Sequence, residues 1–480
     1  MLPTGPETRF ETECGHSQND RQKGRAYMSD IHRSYRKIIE ELKDLAAHPM
    51  RIHTEEKPRF TGWIDTGQSG SIAVNEIIDG EIHNVADWML EQNPKARETH
   101  SQKEWRATVR RAFGPALAQI NDQKSLDDCS QELKSLVKEE VQKRIAGYGK
   151  RGTALGCWLF SESLDDSFTI GPVMFESKSA WLDRALATGD ISRITHRRLG
   201  RAFSGQSVRP RKGSMDKVQE ESILRVLEKA PMVCTVTTYG LAPEVEQKRS
   251  ILAARLALTS IALLWGHPSR VLDHFRISTD AEPRIIRTIP VARGRRMVGG
   301  FRWSQIPVGF PMTASEWNDI LQEKQEFFDL AGEMIACWTS TQAFDQASHL
   351  LRGLSQSLFF FEKACREESD LMSIIAFITA LESLTGGREF NGILDLLKAR
   401  LGLEDRTDVW RGQTLKQVVK RIYRKARSRT LHGTNDQLLH DWSTTREMAE
   451  SMARHGLVSC MELVAKNPTA AELKDLTCSA

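Results

Sequence analysis

The chain of 480 residues has only eight cysteines: Cys14, Cys129, Cys157, Cys234, Cys337, Cys365, Cys460 and Cys478. None stands in a CxxC pair or at zinc-ligand spacing, which predicts free thiols in a reducing compartment and no structural metal. No apolar run reaches the length of about 20 residues that a membrane helix needs. The most apolar stretch, residues 251–265, is shorter and carries Arg255, so a helix buried inside the protein is predicted. The first 25 residues lack an apolar signal-peptide core and read as a disordered tail, with Met28 as a second candidate start. A cytoplasmic protein with no membrane association is expected. No GxxxxGK[ST], HExxH, GxSxG or dinucleotide fingerprint is present, so nucleotide hydrolysis, zinc proteolysis and serine hydrolysis lack support. Internal repeats are also missing.

What is present belongs to a globular chain: 40% hydrophobic and 27% charged residues, with a formal charge of only +4. The length predicts two or three domains. Apolar residues at three- and four-residue spacing predict a helix over 29–48, and others over 103–120 and 126–146. Asp79-Gly80 between two apolar runs predicts a hairpin over 71–85. "ALGCWLF" and "FTIGPVMF", joined through "SESLDD", read as a strand pair. Between positions 193 and 214 lie seven cations and no acid, Arg193, Arg197, Arg198, Arg201, Arg209, Arg211 and Lys212. Pro210 and several Gly and Ser residues mark the second half of this stretch as a loop, and a solvated linker is expected there. Strand-like pieces return at "RIIRTIPVAR" and "FRWSQIPVGF". From about residue 313 strands disappear and helices are expected over 314–338, 342–366, 370–385, 392–402, 414–432 and 444–466. The expected organisation is a tail over 1–25, α+β domains over 26–215 and 216–330, and an all-α bundle over 335–470.

Inside that bundle, "RIYRKARSRTLHGTND" (residues 421–436) carries no acid before its histidine. Gly433 is a natural helix stop, which places His432 in the last turn, where the helix dipole favours imidazolium. A histidine that exchanges a proton near neutrality is the usual general acid–base. Arg427 adds a planar fork that can grip two phosphate oxygens and steady growing negative charge. Five positions on an α-helix separate the two side chains by about 140°. Either the long arginine reaches around, or a second copy completes the site. Arg421, Arg424, Lys425 and Arg429, with Lys416 and Lys420, form a phosphate-attracting surface, and Tyr423 among them offers a stacking face. Glu382 lies beside the apolar stripe of Ile375 and Ile378. A buried carboxylate there needs a cation, and Arg427 is the candidate. His440 suggests a metal ligand only across a Gly-containing turn and is set aside.

The arginine, four residues and a histidine, written "RSRTLHG" after the helix "IAFITALESLTG", resembles the motif of the HEPN superfamily, particularly its ApeA-like branch of bacterial defence proteins. The resemblance covers about a quarter of the chain, roughly residues 342–466. It implies an α+β N-terminal region followed by an all-α HEPN helical bundle that forms a homodimer. It also implies a metal-independent endoribonuclease without cofactors, cleaving RNA by attack of the substrate's own 2′-hydroxyl. His432 would be the acid–base, Arg427 the electrostatic clamp and Glu382 its orienting carboxylate. Ser428 would share in substrate positioning, although many active members place Asn, Asp or His directly after the arginine. An anti-phage, abortive-infection or toxin effector silenced by its N-terminal region is expected, with a phage-derived trigger or an antitoxin as a further partner. The competing expectation is a non-catalytic RNA-binding or dimerisation scaffold.

Overall fold

The computed structural model describes residues 18–47, 59–67, 70–121, 123–160, 166–213, 215–280, 285–288, 300–303, 309–437, 439–467 and 472–477. Most of the expected tail, residues 1–17, falls outside these, as do Cys14, Cys478 and most of the "SESLDD" link. The chain divides into two compact units, Met1–Tyr148 and Gly149–Ala480. Small antiparallel sheets belong to the N-terminal half, and helices dominate the C-terminal half.

In the first unit, helix α1 (Gln18–Ala47) is followed by strands β1 (Phe60–Asp65) and β2 (Ser71–Asn75), paired antiparallel. Helices α2 (Glu76–Glu91), α3 (Pro94–Thr99), α4 (Gln102–Leu117) and α5 (Leu126–Ala146) complete it. Because α1 starts at Gln18, residues 18–25 are helical rather than tail. The hairpin expected at Asp79-Gly80 is instead the interior of α2. Asn75 ends the strand by capping the helix, its side chain accepting from the Ile78 amide at 3.0 Å. Ile78, Ile82, Val85 and Ala86 then fall on one buried face, so helical burial overrides the turn dipeptide. That face packs with Tyr35, Ile38, Trp105, Phe113 and Val137 from α1, α4 and α5. Ion pairs Arg106–Asp87 and Arg110–Asp79 tie α4 to α2 at the rim.

The second unit is built on a five-stranded antiparallel sheet, order β4-β5-β6-β3-β7. Its strands are β3 (Lys150–Trp158), β4 (Phe168–Ile170), β5 (Val173–Ser177), β6 (Met232–Tyr239) and β7 (Arg276–Ile277). "FTIGPVMF" is thus a hairpin of its own, turning at Gly171 with φ +55°. "ALGCWLF" belongs to β3, which pairs with β6 instead, across eight residues from Lys150 to Cys157, while the Gly171-Pro172 turn pairs β4 with β5. Helices α6 (Lys178–Ala187), α7 (Arg193–Phe203) and α8 (Met215–Leu227) fill the connection from β5 to β6. They cover one end of one sheet face through Trp181, Leu182, Leu199 and Leu227. The expected linker therefore begins as helix α7, capped by Ser192, whose side chain accepts from the Thr195 amide.

The opposite face carries Leu155, Phe175, Cys234 and Val236, and against it lies α9 (Pro243–Ala262), the buried helix expected from its sequence. Short α10 (Pro268–Val271) follows, then β8 (Ile285–Thr288) paired with β9 (Gly300–Trp303). Helices α11 (Ala314–Glu323), α12 (Gln325–Thr339), α13 (Thr341–Gln346), α14 (His349–Arg366), α15 (Asp370–Leu384) and α16 (Glu389–Leu401) come next. Two expected long helices are each divided, at Lys324 and at Ala347, where the backbone leaves helical angles. A small hairpin, β10 (Asp408–Trp410) with β11 (Gln413–Thr414), interrupts the helices where none was expected. It turns at Arg411 and Gly412, both at positive φ. Last come α17 (Leu415–Lys420), a π-helical turn over Arg421–Ser428, α18 (Arg429–Leu431) and α19 (Ser443–Lys466).

Sheet, α9 and bundle share one apolar core running from Leu155 to Leu476. The divisions expected at 215/216 and near 330–335 therefore fall inside a single unit, because α9 must be covered on both sides. No single described helix is long and apolar enough to cross a membrane.

Gly80 distinguishes helix from hairpin experimentally. It sits in mid-α2 with open space where a Cβ would be. Gly80→Ala should stabilise the helix by about 0.5–1 kcal/mol. Hydrogen–deuterium exchange of the α2 amides should slow correspondingly, whereas a left-handed turn at Gly80 would make the same change accelerate exchange.

Candidate active site

The basic segment starts as an ordinary helix. Thr414 and Gln417 form a reciprocal cap, and Leu415, Val418, Val419 and Ile422 pack inward. From Arg421 the hydrogen-bond pattern widens to i→i+5. Within this wider turn, residues five apart come nearly into line, so Arg427 falls beneath Ile422 and faces the core. The π segment ends at Ser428, and the His432 amide donates to the Ser428 carbonyl at 3.1 Å in α geometry. The alignment is not carried on to His432.

Arg427 meets Glu382 of α15, Nη2 to Oε2 at 2.6 Å, as the apolar spacing on that helix predicted. Its guanidinium also lies 5.2 Å from the centre of the Tyr423 ring, with Nη1 donating to the Tyr423 hydroxyl at 3.4 Å. The Arg427 Nε is buried without an acceptor. Burial pushes the Glu382 carboxyl upward, against the downward pull of the Arg427 charge. Burial, and next the neighbouring carboxylate, push the Tyr423 phenol up to about 12.

Tyr423 is only 7% exposed, and its ring packs against Phe390 of α16. It therefore braces the site from within and offers no stacking face to a nucleic acid base, contrary to its expected role. The reason is its spacing: Tyr423 stands with Val419, Ile422 and Ala426 at three- and four-residue intervals on the buried side of the helix.

His432 closes the helix. Gly433 takes φ +67°, its amide donates to the Thr430 carbonyl, and Thr434 donates to Arg429 at 2.8 Å. This double closure satisfies the last carbonyls and leaves the imidazole exposed, with no side-chain partner among the described residues. Arg427 and His432 of one chain thus share a helix end but face different ways: the guanidinium inward, the imidazole outward.

The surrounding cations divide into two sets. Lys416 pairs with Asp405 at 3.3 Å, Arg429 with Asp436 at 3.4 Å, and Arg424 lies over the Phe390 ring at 5.1 Å. Lys420, Arg421 and Lys425 have no carboxylate partner among the described residues. Ser428 is half-buried in the last π position. Phe390, which supports both Tyr423 and Arg424, was not picked out from the sequence, because it follows the Gly386-Gly387 stop. Its signal was its position in the first turn of a helix whose preceding residue pair breaks α15. Leu431, next to His432 in sequence, and Leu439 are both exposed. No group of three or more His, Cys, Asp or Glu residues suited to a metal ion occurs among the described residues, and His440 packs edge-on against Trp442. No family model, curated protein or solved structure matches this chain.

Removing Arg427 leaves Glu382 confined without its cation. Arg427→Ala should cost about 2–3 kcal/mol near pH 7.5, slightly below the range for a fully buried pair. Glu382 titrates above its ordinary 4.5 in the folded chain. Its contribution to stability is therefore complete below about that pH and is lost as pH rises through the folded-state value. Without Arg427 that value moves higher still, so the deficit of the variant should grow from pH 4.5 to pH 7.5. Urea midpoints at the two pH values test this, and Glu382→Gln in the same chain should restore most of the loss.

Proposed function

We propose that the chain is a metal-independent endoribonuclease of the HEPN type, with one catalytic helix contributed by each of two copies. The observation that supports it most is the exposed, unpartnered His432 at a helix end, directly beyond a guanidinium braced by a carboxylate and beside three uncompensated cations. In the reaction, the substrate's 2′-oxygen attacks phosphorus while one His432 accepts the 2′-hydroxyl proton. The bond from phosphorus to the 5′-oxygen breaks as an imidazolium donates a proton to the leaving oxygen. A 2′,3′-cyclic phosphate and a 5′-hydroxyl result. Lys420, Arg421 and Lys425 hold flanking phosphates by charge, and Arg427 stabilises the dianionic phosphorane once its partner helix approaches. In one chain the guanidinium and the imidazole face different ways, so in this reading two copies share the phosphate, and Arg427, whose side chain stays 22% exposed beside Glu382, reaches it from that exposed edge. In this reading the bundle is a HEPN bundle, and the chain is an anti-phage or toxin effector held silent by its N-terminal region until triggered.

The test uses the full chain and its His432→Ala variant on total RNA in EDTA, with the new RNA ends identified. General acid–base loss should lower cleavage by roughly 10²–10⁴-fold and leave cyclic phosphate as the wild-type end product. Equal cleavage by both proteins would falsify the assignment, and RNA retention without cleavage by either, with phage lysate added as a source of trigger as well as without it, would make the chain a scaffold.

A further inference from the structure

A second cationic surface lies on α7, far along the chain from His432. Its seven cations divide by direction. Arg198 grips Glu220 through two bonds of 2.8 Å and donates to the Arg209 carbonyl at 2.7 Å. Arg211 pairs with Asp216 and reaches Thr195 at 3.4 Å. These two arginines hold the helix and the loop after it in place. Among the described residues, Arg193, Arg197, Arg201, Arg209 and Lys212 are exposed and have no acidic partner. The neighbouring acids are already engaged: Glu220 and Asp216 as above, and Asp183 with His196 at 2.8 Å.

Arg193, Arg197 and Arg201 follow one another at four-residue spacing, about 6 Å apart along the helix and nearly in line. Like charges in this arrangement repel and destabilise an isolated helix, so the row carries a standing cost in the absence of a polyanion. The inner side of the helix, Thr195 and Leu199, is buried in the protein and cannot enter a lipid surface. Outward, Ile194 is the single large apolar residue of α7, too little for the apolar anchor of a protein interface. A row of guanidinium forks is instead suited to successive phosphates and to stacking on unpaired bases.

We propose that Arg193, Arg197 and Arg201, with Arg209 and Lys212 beside them, bind the phosphate backbone of single-stranded RNA and hold the substrate at a distance from the scissile bond. The choice of RNA rests on the nuclease reading above. The surface itself is a binding site and not part of the catalytic machinery.

The experiment measures fluorescence anisotropy of a labelled 20-nucleotide single-stranded RNA, with every protein in the His432→Ala background so that no strand is cut. Neutralising three strand contacts (R193Q, R197Q and R201Q together) should flatten the plot of log affinity against log salt by about 2, at roughly 0.7 per contact. The advantage of the chain with its arginines intact should then shrink roughly twentyfold between 50 and 200 mM salt. A charge-matched control, K43Q with K103Q and K138Q, removes three exposed lysines of the first unit and should leave the slope unchanged. Circular dichroism checks that α7 remains folded. Unchanged RNA affinity and slope overturn the proposal, with or without loss of binding to phosphatidylserine vesicles or polyglutamate. Cleavage is never read in this assay, so the surface can fail while the nuclease stands, and the reverse.

Discussion

Helix α9 sets the architecture of the second unit. Its buried residues run without a gap from Ala253 to Ala262, apart from Arg255, so its second half presents no face for water, while Gln247 and Lys248 of the first half are exposed. A helix apolar on all sides must be enclosed, and one sheet covers only one side of it. The remaining side is closed by α12 and α14, which brings the bundle onto the sheet through the same helix. Arg255, the exception, is taken up by Asp280 at 2.7 Å, and Arg366 of α14 reaches the same carboxylate at 3.3 Å. One acid thus ties the enclosed helix to the bundle. What looks in the sequence like a change from mixed structure to pure helix is an uninterrupted core.

The same rule, that a carboxylate taken out of water takes a cation with it, builds the candidate active site. Glu362 is fully buried and meets Arg366 at 3.0 Å; Glu382 is nearly so and meets Arg427. The second pair differs in that its arginine comes from a helix whose other cations lead away from the core. Arg427 reaches inward because it follows Tyr423 by four residues at the edge of the buried stripe, and the i→i+5 turn runs through the same segment. The cost is hydrogen-bond geometry poorer than in an α-helix. The gain is a guanidinium fixed in direction by Glu382 below and the Tyr423 ring beside it, an arrangement a flexible surface arginine does not have.

Legibility followed how far each signal depended on distant residues. The buried helix, the stop at Gly433 and the Glu382–Arg427 pair were readable because periodicity and charge burial are local rules. Asp79-Gly80 misled because the turn propensity of two residues was weighed above the apolar spacing of Ile78, Ile82 and Val85 around them. Tyr423 misled for a related reason. Its charged neighbours were weighed above its place in the apolar stripe of Val419, Ile422 and Ala426, and Phe390 reaches it from another helix. The division into units was hidden because a break in composition was read as a break in the core.

The two cationic helices show one consistent logic. In each, the arginines that turn inward find carboxylates, Arg427 with Glu382 and Arg198 with Glu220, and these pairs fix the backbone. The outward cations, Lys420, Arg421 and Lys425 on one helix and Arg193, Arg197 and Arg201 on the other, are left without acids. A chain whose positive and negative residues nearly balance, 67 against 63, could have neutralised both rows from its own supply. Among the described residues it leaves both rows without acidic partners, and the local repulsion within each row is unrelieved by its own carboxylates. In the nuclease reading proposed above, a flexible polyanion long enough to span separate cationic rows, a single RNA strand, would supply the compensation.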